Sequence, residues 1–178
     1  MRTPILSPTI FLLFLLFLSI SPPPIQCDDD LIEQICKKTP FYDLCLASLK
    51  SNPTTIPMDI KGLATTMADI VLSNATDTLD FIQSEIKQAS DPQMERALAY
   101  CAELYIPVVK YNLPQAIEAL SKGQYAFAAD GISDAAKEAD ACEKNFSGSL
   151  KSPLTVRNKL VHSLSDVAVA IVKVLLKG

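Results

Sequence analysis

The chain has 178 residues with sixteen Lys and Arg, twenty Asp and Glu, one His and a formal net charge of −4 at pH 7. Its longest basic cluster is Lys37-Lys38, so nucleic acid and anionic membranes are poor partners. With a single histidine and five widely scattered glycines, the sequence offers no base-activated nucleophile and no phosphate-binding loop, and we expect neither an enzyme nor a cofactor.

The first residues have the pattern of a secretory signal peptide. Arg2 precedes an apolar run of eleven residues, 10–20, which suits a leader and is too short to span a bilayer. A cut between Cys27 and Asp28 removes the odd cysteine and leaves four, whereas an earlier cut would leave Cys27 as a free thiol. We therefore predict a signal peptide over residues 1–27.

One domain is predicted over the mature residues 28–178. It begins with two short helical segments, Leu31–Cys36 and Phe41–Leu49, each too short to be a stable helix alone in water. We expect them to form a helical hairpin over residues 28–50 that does not belong to the bundle behind it. The three aspartates at 28–30 indicate a solvated helix start that favours the helix dipole, and no metal site is expected there.

Residues 57–177 carry apolar side chains three and four positions apart, the spacing of four amphipathic helices. Asp91 can cap the second of these helices, with a proline in its first turn. The second helix also contains Pro107 and Pro114, so we expect a kink or a restart near Tyr111-Asn112.

The third helix has small residues on its inner face, which let a neighbouring helix approach closely. They are Ala128, Gly131, Ala135, Ala139 and Cys142. The last helix is predicted to start at Ser152-Pro153. Its predicted inward residues are Leu160, Leu164, Val167, Ile171, Val174 and Leu175. Together these segments predict an all-α fold, an up-down-up-down four-helix bundle with an N-terminal disulfide-stapled helical hairpin.

The four remaining cysteines are expected to form disulfides, because the predicted compartment is oxidising. Pairing in sequence order, Cys36 with Cys45 and Cys101 with Cys142, would staple the hairpin and tie the second helix to the third. Loop entropy puts these bonds at roughly 3 and 4 kcal/mol, as upper figures. Four cysteines allow three connectivities, and a nested pairing would pull the hairpin onto the bundle.

Several polar and aromatic residues have a structural interpretation. His162 and Asp166 are four apart on the last helix, which indicates a helix-surface pair and not a catalytic one. Tyr105 and Tyr111 are expected to pack in the core or at its rim. Two sequons are glycosylation candidates, the better one beside a turn and the other within a helix; their acceptors are Asn145 and Asn74.

The segment Cys36–Leu49 resembles the N-terminal hairpin of the plant invertase and pectin methylesterase inhibitor family. The resemblance continues through Asp59–Ala64 and through the spacing of the second cysteine pair, and it covers essentially the whole mature chain. Residues 113–123 and 164–172 are similar to the branch that inhibits acid invertases (β-fructosidases) of cell wall and vacuole. The family implies a proteinaceous inhibitor with a hairpin, a four-helix bundle and the sequential disulfide pairing.

In the invertase-inhibiting branch, a Pro-Lys-Phe motif follows the glycine that ends the second helix and enters the enzyme's substrate cleft. The corresponding residues here are Gly123, Gln124, Tyr125, Ala126 and Phe127. Phe127 matches the motif, whereas Tyr125 stands in place of the proline and Ala126 in place of the lysine. The resemblance therefore implies that this loop binds the target with an aromatic anchor but without a charge-assisted contact. Alternatively, the two aromatic residues simply pack onto the bundle.

These observations predict a secreted inhibitor of acid invertase that occludes the active-site cleft in a 1:1 complex. The expected compartment is the apoplast or cell wall, with the vacuole as an alternative. A pectin methylesterase inhibitor, docking through polar helix faces, is the second hypothesis. The third is a non-inhibitory helical carrier of an apolar ligand, which would need a cavity of several hundred Å³.

Overall fold

The computed structural model describes residues 27–51, 59–146 and 150–177, with side chains from Asp30 onward. These ranges contain no strand, which agrees with the predicted all-α class. The helices are α1 (Cys27–Cys36), α2 (Tyr42–Lys50), α3 (Ile60–Gln88), α4 (Pro92–Pro107), α5 (Leu113–Ser121), α6 (Tyr125–Asn145) and α7 (Thr155–Lys177), with a π-helical turn (Val108–Asn112) between α4 and α5. Residues 1–26, most of the predicted signal peptide, lie outside the described residues.

Short polar side chains set where the long helices begin. Asp59 caps α3 by accepting from the Gly62 amide at 2.6 Å. Asp91 caps α4, as predicted, by accepting from the amide of Gln93 at 2.9 Å. The predicted start of α7 was wrong by about three residues, since the helix begins at Thr155. Ser152 lies in the preceding turn, where its hydroxyl accepts from the Leu154 amide at 3.1 Å.

The π-helical turn is the restart that the two prolines predict. Pro114 has no amide hydrogen, and its ring would clash with the carbonyl four residues earlier in a regular α-helix. The chain inserts one extra residue instead, and the Leu113 amide donates to the Val108 carbonyl five residues back. Val108 and Leu113 are consequently both buried although they lie five positions apart.

Neighbouring helices of the bundle run in opposite directions where their contacts can be followed. At one end, Lys61 at the start of α3 donates to the Ser121 carbonyl at the end of α5, at 2.9 Å. At the other end, Asn145 at the close of α6 donates to the Ala97 carbonyl in the first turns of α4, at 3.1 Å. These contacts are consistent with the predicted up-down-up-down order.

The hairpin packs on the bundle, contrary to the prediction that it does not belong there. Cys36, Cys45 and Leu49 are fully buried in the same apolar cluster as residues of α3 and α7. A pair of helices this short cannot cover its own apolar face, so the bundle covers it. The disulfides nevertheless follow sequence order, Cys36–Cys45 and Cys101–Cys142, with Cα–Cα distances of 5.5 and 4.8 Å.

The inward face of α7 differs from the prediction at one position. Leu160 was predicted to face inward, but 38% of it is exposed. Asn158 occupies the inward position in that turn and is buried. The polar residue can take this place because it is held by hydrogen bonds to Tyr105 and Glu143, described below.

Candidate functional site

The residues predicted to bind the target, 123–127, begin in a tight turn that ends α5. Gly123 has φ of +73°, a left-handed conformation that glycine adopts without strain. Its amide donates to the Leu120 carbonyl at 3.1 Å, and the Gln124 amide donates to the Ala119 carbonyl at 2.9 Å. This pair of hydrogen bonds is a Schellman motif, which satisfies the last carbonyls of α5 and reverses the chain within three residues.

Only part of the predicted loop is a loop. Helix α6 begins at Tyr125, and the Ala128 amide already donates to the Gln124 carbonyl at 3.0 Å. Residues 125–127 therefore form the first helical turn. The reason is the preceding Schellman motif, which completes the chain reversal by Gln124 and leaves the following residues free to start a helix.

The two aromatic residues of this turn have different environments. Tyr125 is half-buried and packs against the core, which fits the alternative interpretation that it is a structural residue. Phe127 is 56% exposed although it is a large apolar side chain. The turn thus presents one aromatic side chain to solvent from a rigid helical position.

Two contacts involve the residues just before Gly123. Lys61 of α3 donates to the Ser121 carbonyl, the last residue of α5. Lys122 pairs with Glu118 at 2.6 Å, and its hydrogen bond and charge lower the pKa of that carboxyl. Both partners of this ion pair are more than half exposed, so its contribution to stability is small.

Below the turn, α5 and α6 approach closely at Gly131. A Cβ atom on Gly131 would lie 3.0 Å from the Asn112 carbonyl oxygen and 3.2 Å from the Ala116 Cβ. The Asn112 side chain also donates to Asp134 at 3.3 Å. The small residues predicted on the inner face of α6 thus allow the two helices beside the turn to pack tightly.

A buried polar network, which no sequence pattern predicted, connects α4, α6 and α7 at the opposite end of the bundle. The Tyr105 hydroxyl donates to Asn158 Oδ1 at 2.8 Å, and Asn158 Nδ2 donates to Glu143 Oε2 at 2.8 Å. Burial, reinforced by the nearby Glu143 and Asp140 carboxylates, raises the pKa of Tyr105.

Glu143 remains the charged member of this network. Its burial alone would raise the pKa, but hydrogen bonds from Thr155, Asn158 and Ser152 outweigh burial and lower it. The carboxylate therefore joins the end of α6 to the start of α7.

The lone histidine lies between two helices. His162 Nε2 is 3.2 Å from Asp166 Oδ2, the predicted pair along α7, and Nδ1 is 2.9 Å from Asp140 Oδ1 on α6. The Nδ1 atom is buried and makes no hydrogen bond with a residue that the structure describes, so its contact with Asp140 is a close approach only. The arrangement is a surface link between helices.

Of the other predicted residues, Tyr105 is buried in the core and Tyr111 is 58% exposed on the π-helical turn. The amide nitrogens of both candidate glycosylation sites donate to main-chain carbonyls, Asn74 to Ile70 at 2.8 Å and Asn145 to Ala97 at 3.1 Å. Glycosylation of either stays a prediction.

Among the residues with described side chains, no group of three or more His, Cys, Asp or Glu is placed to hold a metal ion. In the same part of the chain, no helix combines the length and the apolar composition needed to cross a membrane.

Comparison with known proteins identifies the family. Residues 30–171 match the family described as plant invertase/pectin methylesterase inhibitor. The chain belongs to this family. The chain is similar to an Arabidopsis thaliana protein named cell wall / vacuolar inhibitor of fructosidase 1, with 39% identity over 144 residues, covering 81% of this chain and 68% of the relative. A pectinesterase inhibitor from Actinidia deliciosa is 32% identical over 165 residues, covering 89% of each protein.

A solved structure is also similar. The crystal structure of a mutant form of a pectin methylesterase inhibitor from Arabidopsis superposes with a TM-score of 0.70 at 27% identity, covering 80% of this chain and 95% of that one. The relatives thus include inhibitors of both enzyme classes, which leaves the choice of target to the residues of the site.

Proposed function

We propose that this member of the inhibitor family blocks a plant acid invertase (β-fructosidase) by inserting the turn between α5 and α6 into the active-site cleft. The observation that carries the proposal is Phe127, a large aromatic side chain 56% exposed on the first turn of α6. It occupies the place of the phenylalanine in the motif of the invertase-inhibiting branch. The relative at 39% identity is named as an inhibitor of fructosidase, which favours the same target class.

The geometry of the turn suits an insertion element. Its backbone is fixed by the hydrogen bonds of Gly123 and Gln124, so little conformational entropy would be lost on binding. An exposed aromatic anchor that becomes buried in a cleft commonly contributes about 2 kcal/mol or more, on the order of thirtyfold in affinity. Ala126 is exposed and supplies no charge to an acidic cleft, so we expect weaker binding than from a relative with lysine there.

Inhibition of pectin methylesterase is the second candidate. The Actinidia relative and the similar Arabidopsis structure are both inhibitors of that enzyme class by name, which favours this alternative. Docking through polar helix faces would make Phe127 dispensable.

The third hypothesis, an apolar carrier, needs a cavity of several hundred Å³. A groove between α2, α3 and α7 has a volume of about 870 Å³, but it is partly open to solvent and its lining mixes leucines with hydroxyl and carboxylate groups. An apolar ligand would leave those polar groups without partners, so the groove does not favour this hypothesis.

We further propose that the protein works outside the cell, in the apoplast, or in the vacuole, as a 1:1 complex with its enzyme. Two disulfides among the described cysteines suit an oxidising compartment. The name of the Arabidopsis relative, a cell wall / vacuolar inhibitor, supports these two locations.

The test uses protein secreted from a host that expresses the full chain. It would be titrated at pH 5 against a cell-wall invertase and, in parallel, a plant pectin methylesterase. We expect inhibition of the invertase, and a loss of about thirtyfold in affinity for Phe127→Ala. Tyr100→Ala is the matched control, because Tyr100 is an aromatic residue 43% exposed in the middle of α4, well before the turn that ends α5.

Equal losses in the two variants would show that the turn is not the contact. Inhibition of the esterase alone, unaffected by Phe127→Ala, would establish the second candidate.

A further inference from the structure

A groove on the hairpin side of the molecule contains none of the residues assigned to target binding. It has a volume of about 870 Å³ and lies between α2, the first half of α3 and α7. This volume is within the range of small-molecule sites in proteins. The lining differs clearly from one wall to the other.

The wall formed by α3 carries polar groups with no protein partner. Thr66, Asp69 and Ser73 lie at spacings of three and four and so share one helix face. Neither hydroxyl, nor the Asp69 carboxylate, has a hydrogen bond or ion pair with any residue that the structure describes. Asn74 extends this wall: its Nδ2 donates to the Ile70 carbonyl, which leaves Oδ1 as an acceptor.

The wall formed by α7 is aliphatic. Leu160, 38% exposed, lines the groove at its surface and Leu164 lines it deeper, where only 2% is exposed. An exposed leucine opposite a row of unpartnered hydroxyl and carboxylate groups would contact the C–H side of a ligand whose other side carries hydroxyls. A sugar ring has these two kinds of surface.

The charges of the lining select among sugars. Asp59 and Asp69 are acidic, and the cation of the lining, Lys61, donates to the Ser121 carbonyl. Asp69 is exposed to solvent, so its carboxylate can accept from the hydroxyl groups of a ligand. The lining has a net charge of −1, because Lys61 keeps its charge while it donates to Ser121, and this disfavours a multiply charged acidic sugar such as trigalacturonate.

We propose that this groove binds a neutral mono- or disaccharide through Thr66, Asp69 and Ser73, with Leu160 against the apolar side of a sugar ring. The site is separate from residues 123–127 and does not depend on the proposed inhibition. Asp69 accepts from ligand hydroxyls, and Thr66 and Ser73 donate or accept. Neither the target enzyme nor a metal is needed for binding.

The experiment titrates the secreted protein with sucrose, with glucose and with trigalacturonate, using saturation-transfer NMR and calorimetry at pH 6. We expect saturable binding of at least one of the two neutral sugars and none of trigalacturonate. Asp69→Asn should weaken binding about tenfold, and Leu160→Ala several-fold. Asp80→Asn is the matched control, since Asp80 is an exposed aspartate on α3 outside the groove, and it should leave binding unchanged.

Three results would overturn the proposal: no saturation by either neutral sugar, equal binding by wild type and Asp69→Asn, or binding of spermidine in place of sugars. The last would mean that the carboxylates recognise a cation. Invertase inhibition is measured on the same samples. Loss of sugar binding in Asp69→Asn with inhibition intact would separate this site from the turn, so the two proposals can fail independently.

Discussion

The buried network around Asn158 yields the most quantitative prediction. Tyr105 is 1% exposed and Asn158 is 2% exposed, so neither can replace a lost partner with bulk water. Tyr105→Phe removes one hydrogen bond and leaves Asn158 Oδ1 without a donor. A buried polar group left in this way costs about 1–3 kcal/mol, and we expect a loss of about 1.5 kcal/mol.

Asn158→Ala is more damaging because it removes a hydrogen-bond partner from two groups. The Tyr105 hydroxyl keeps no acceptor, and Glu143 loses one of three donors, a charge-assisted bond of about 1.5–3 kcal/mol. We expect a total loss of about 3–4 kcal/mol. At roughly 2–4 °C per kcal/mol for a domain of this size, Tm should fall by about 6–16 °C.

The double variant distinguishes this reasoning from simple loss of packing. Once Tyr105→Phe has removed the hydroxyl, Asn158→Ala no longer leaves it buried and unpaired. The double variant should therefore be more stable than the sum of the single losses predicts, by about 1 kcal/mol or more. The assay is urea unfolding at pH 6 with both disulfides intact. Strict additivity, or a Tyr105→Phe loss below about 0.5 kcal/mol, would refute the assignment of this energy to the network.

Three further predictions concern pH, the turn and the target. Because hydrogen bonds hold the folded pKa of Glu143 below its ordinary value of 4.5, its contribution is present above pH 4.5 and is lost as pH falls through the folded pKa. Glu143→Gln should therefore make stability less dependent on pH between 4.5 and 2.5, as read from urea midpoints; an unchanged slope would contradict this. Gly123→Ala should cost about 1 kcal/mol in thermal unfolding, because φ is +73° and nothing within 4 Å would clash. An equally stable variant would show that the turn tolerates a side chain. Ala126→Lys should tighten invertase binding about tenfold in inhibition titrations, whereas no gain would mean that the bound cleft is not acidic there.

The sequence was sufficient to predict the helices of the bundle because their apolar residues are regularly spaced. Asp91 was predicted as a cap and is one, and the prolines located the interruption of the second helix. The apolar pattern also contains the type of interruption, since Val108 and Leu113 are two inward residues five positions apart, as one inserted residue requires.

Other features depend on tertiary contacts that no local pattern contains. Because Asn158 is polar, the sequence pattern does not predict that it faces inward. Its burial is favourable because it has hydrogen-bond partners on two other helices, Tyr105 and Glu143. Leu160 was assigned inward because it is apolar, yet it lines an open groove that exists only once the hairpin has packed on α3 and α7. The hairpin packs on the bundle because its residues Cys45 and Leu49 are buried only when other helices cover them.

If the turn between α5 and α6 contacts the target, as proposed, its structure indicates how the choice of target enzyme could change. Residues 125–127 are helical, and a glycine-dependent Schellman motif fixes the chain just before them. A change of target is therefore more readily made by exchanging side chains on this fixed backbone than by changing the conformation of the loop. Tyr125 stands at the first position of α6, where a proline is tolerated because the amide there needs no helical partner. The backbone of residues 123–127 thus accepts both this sequence and the Pro-Lys-Phe motif. The difference in target affinity between the two should therefore come from the side chains at 125 and 126 alone.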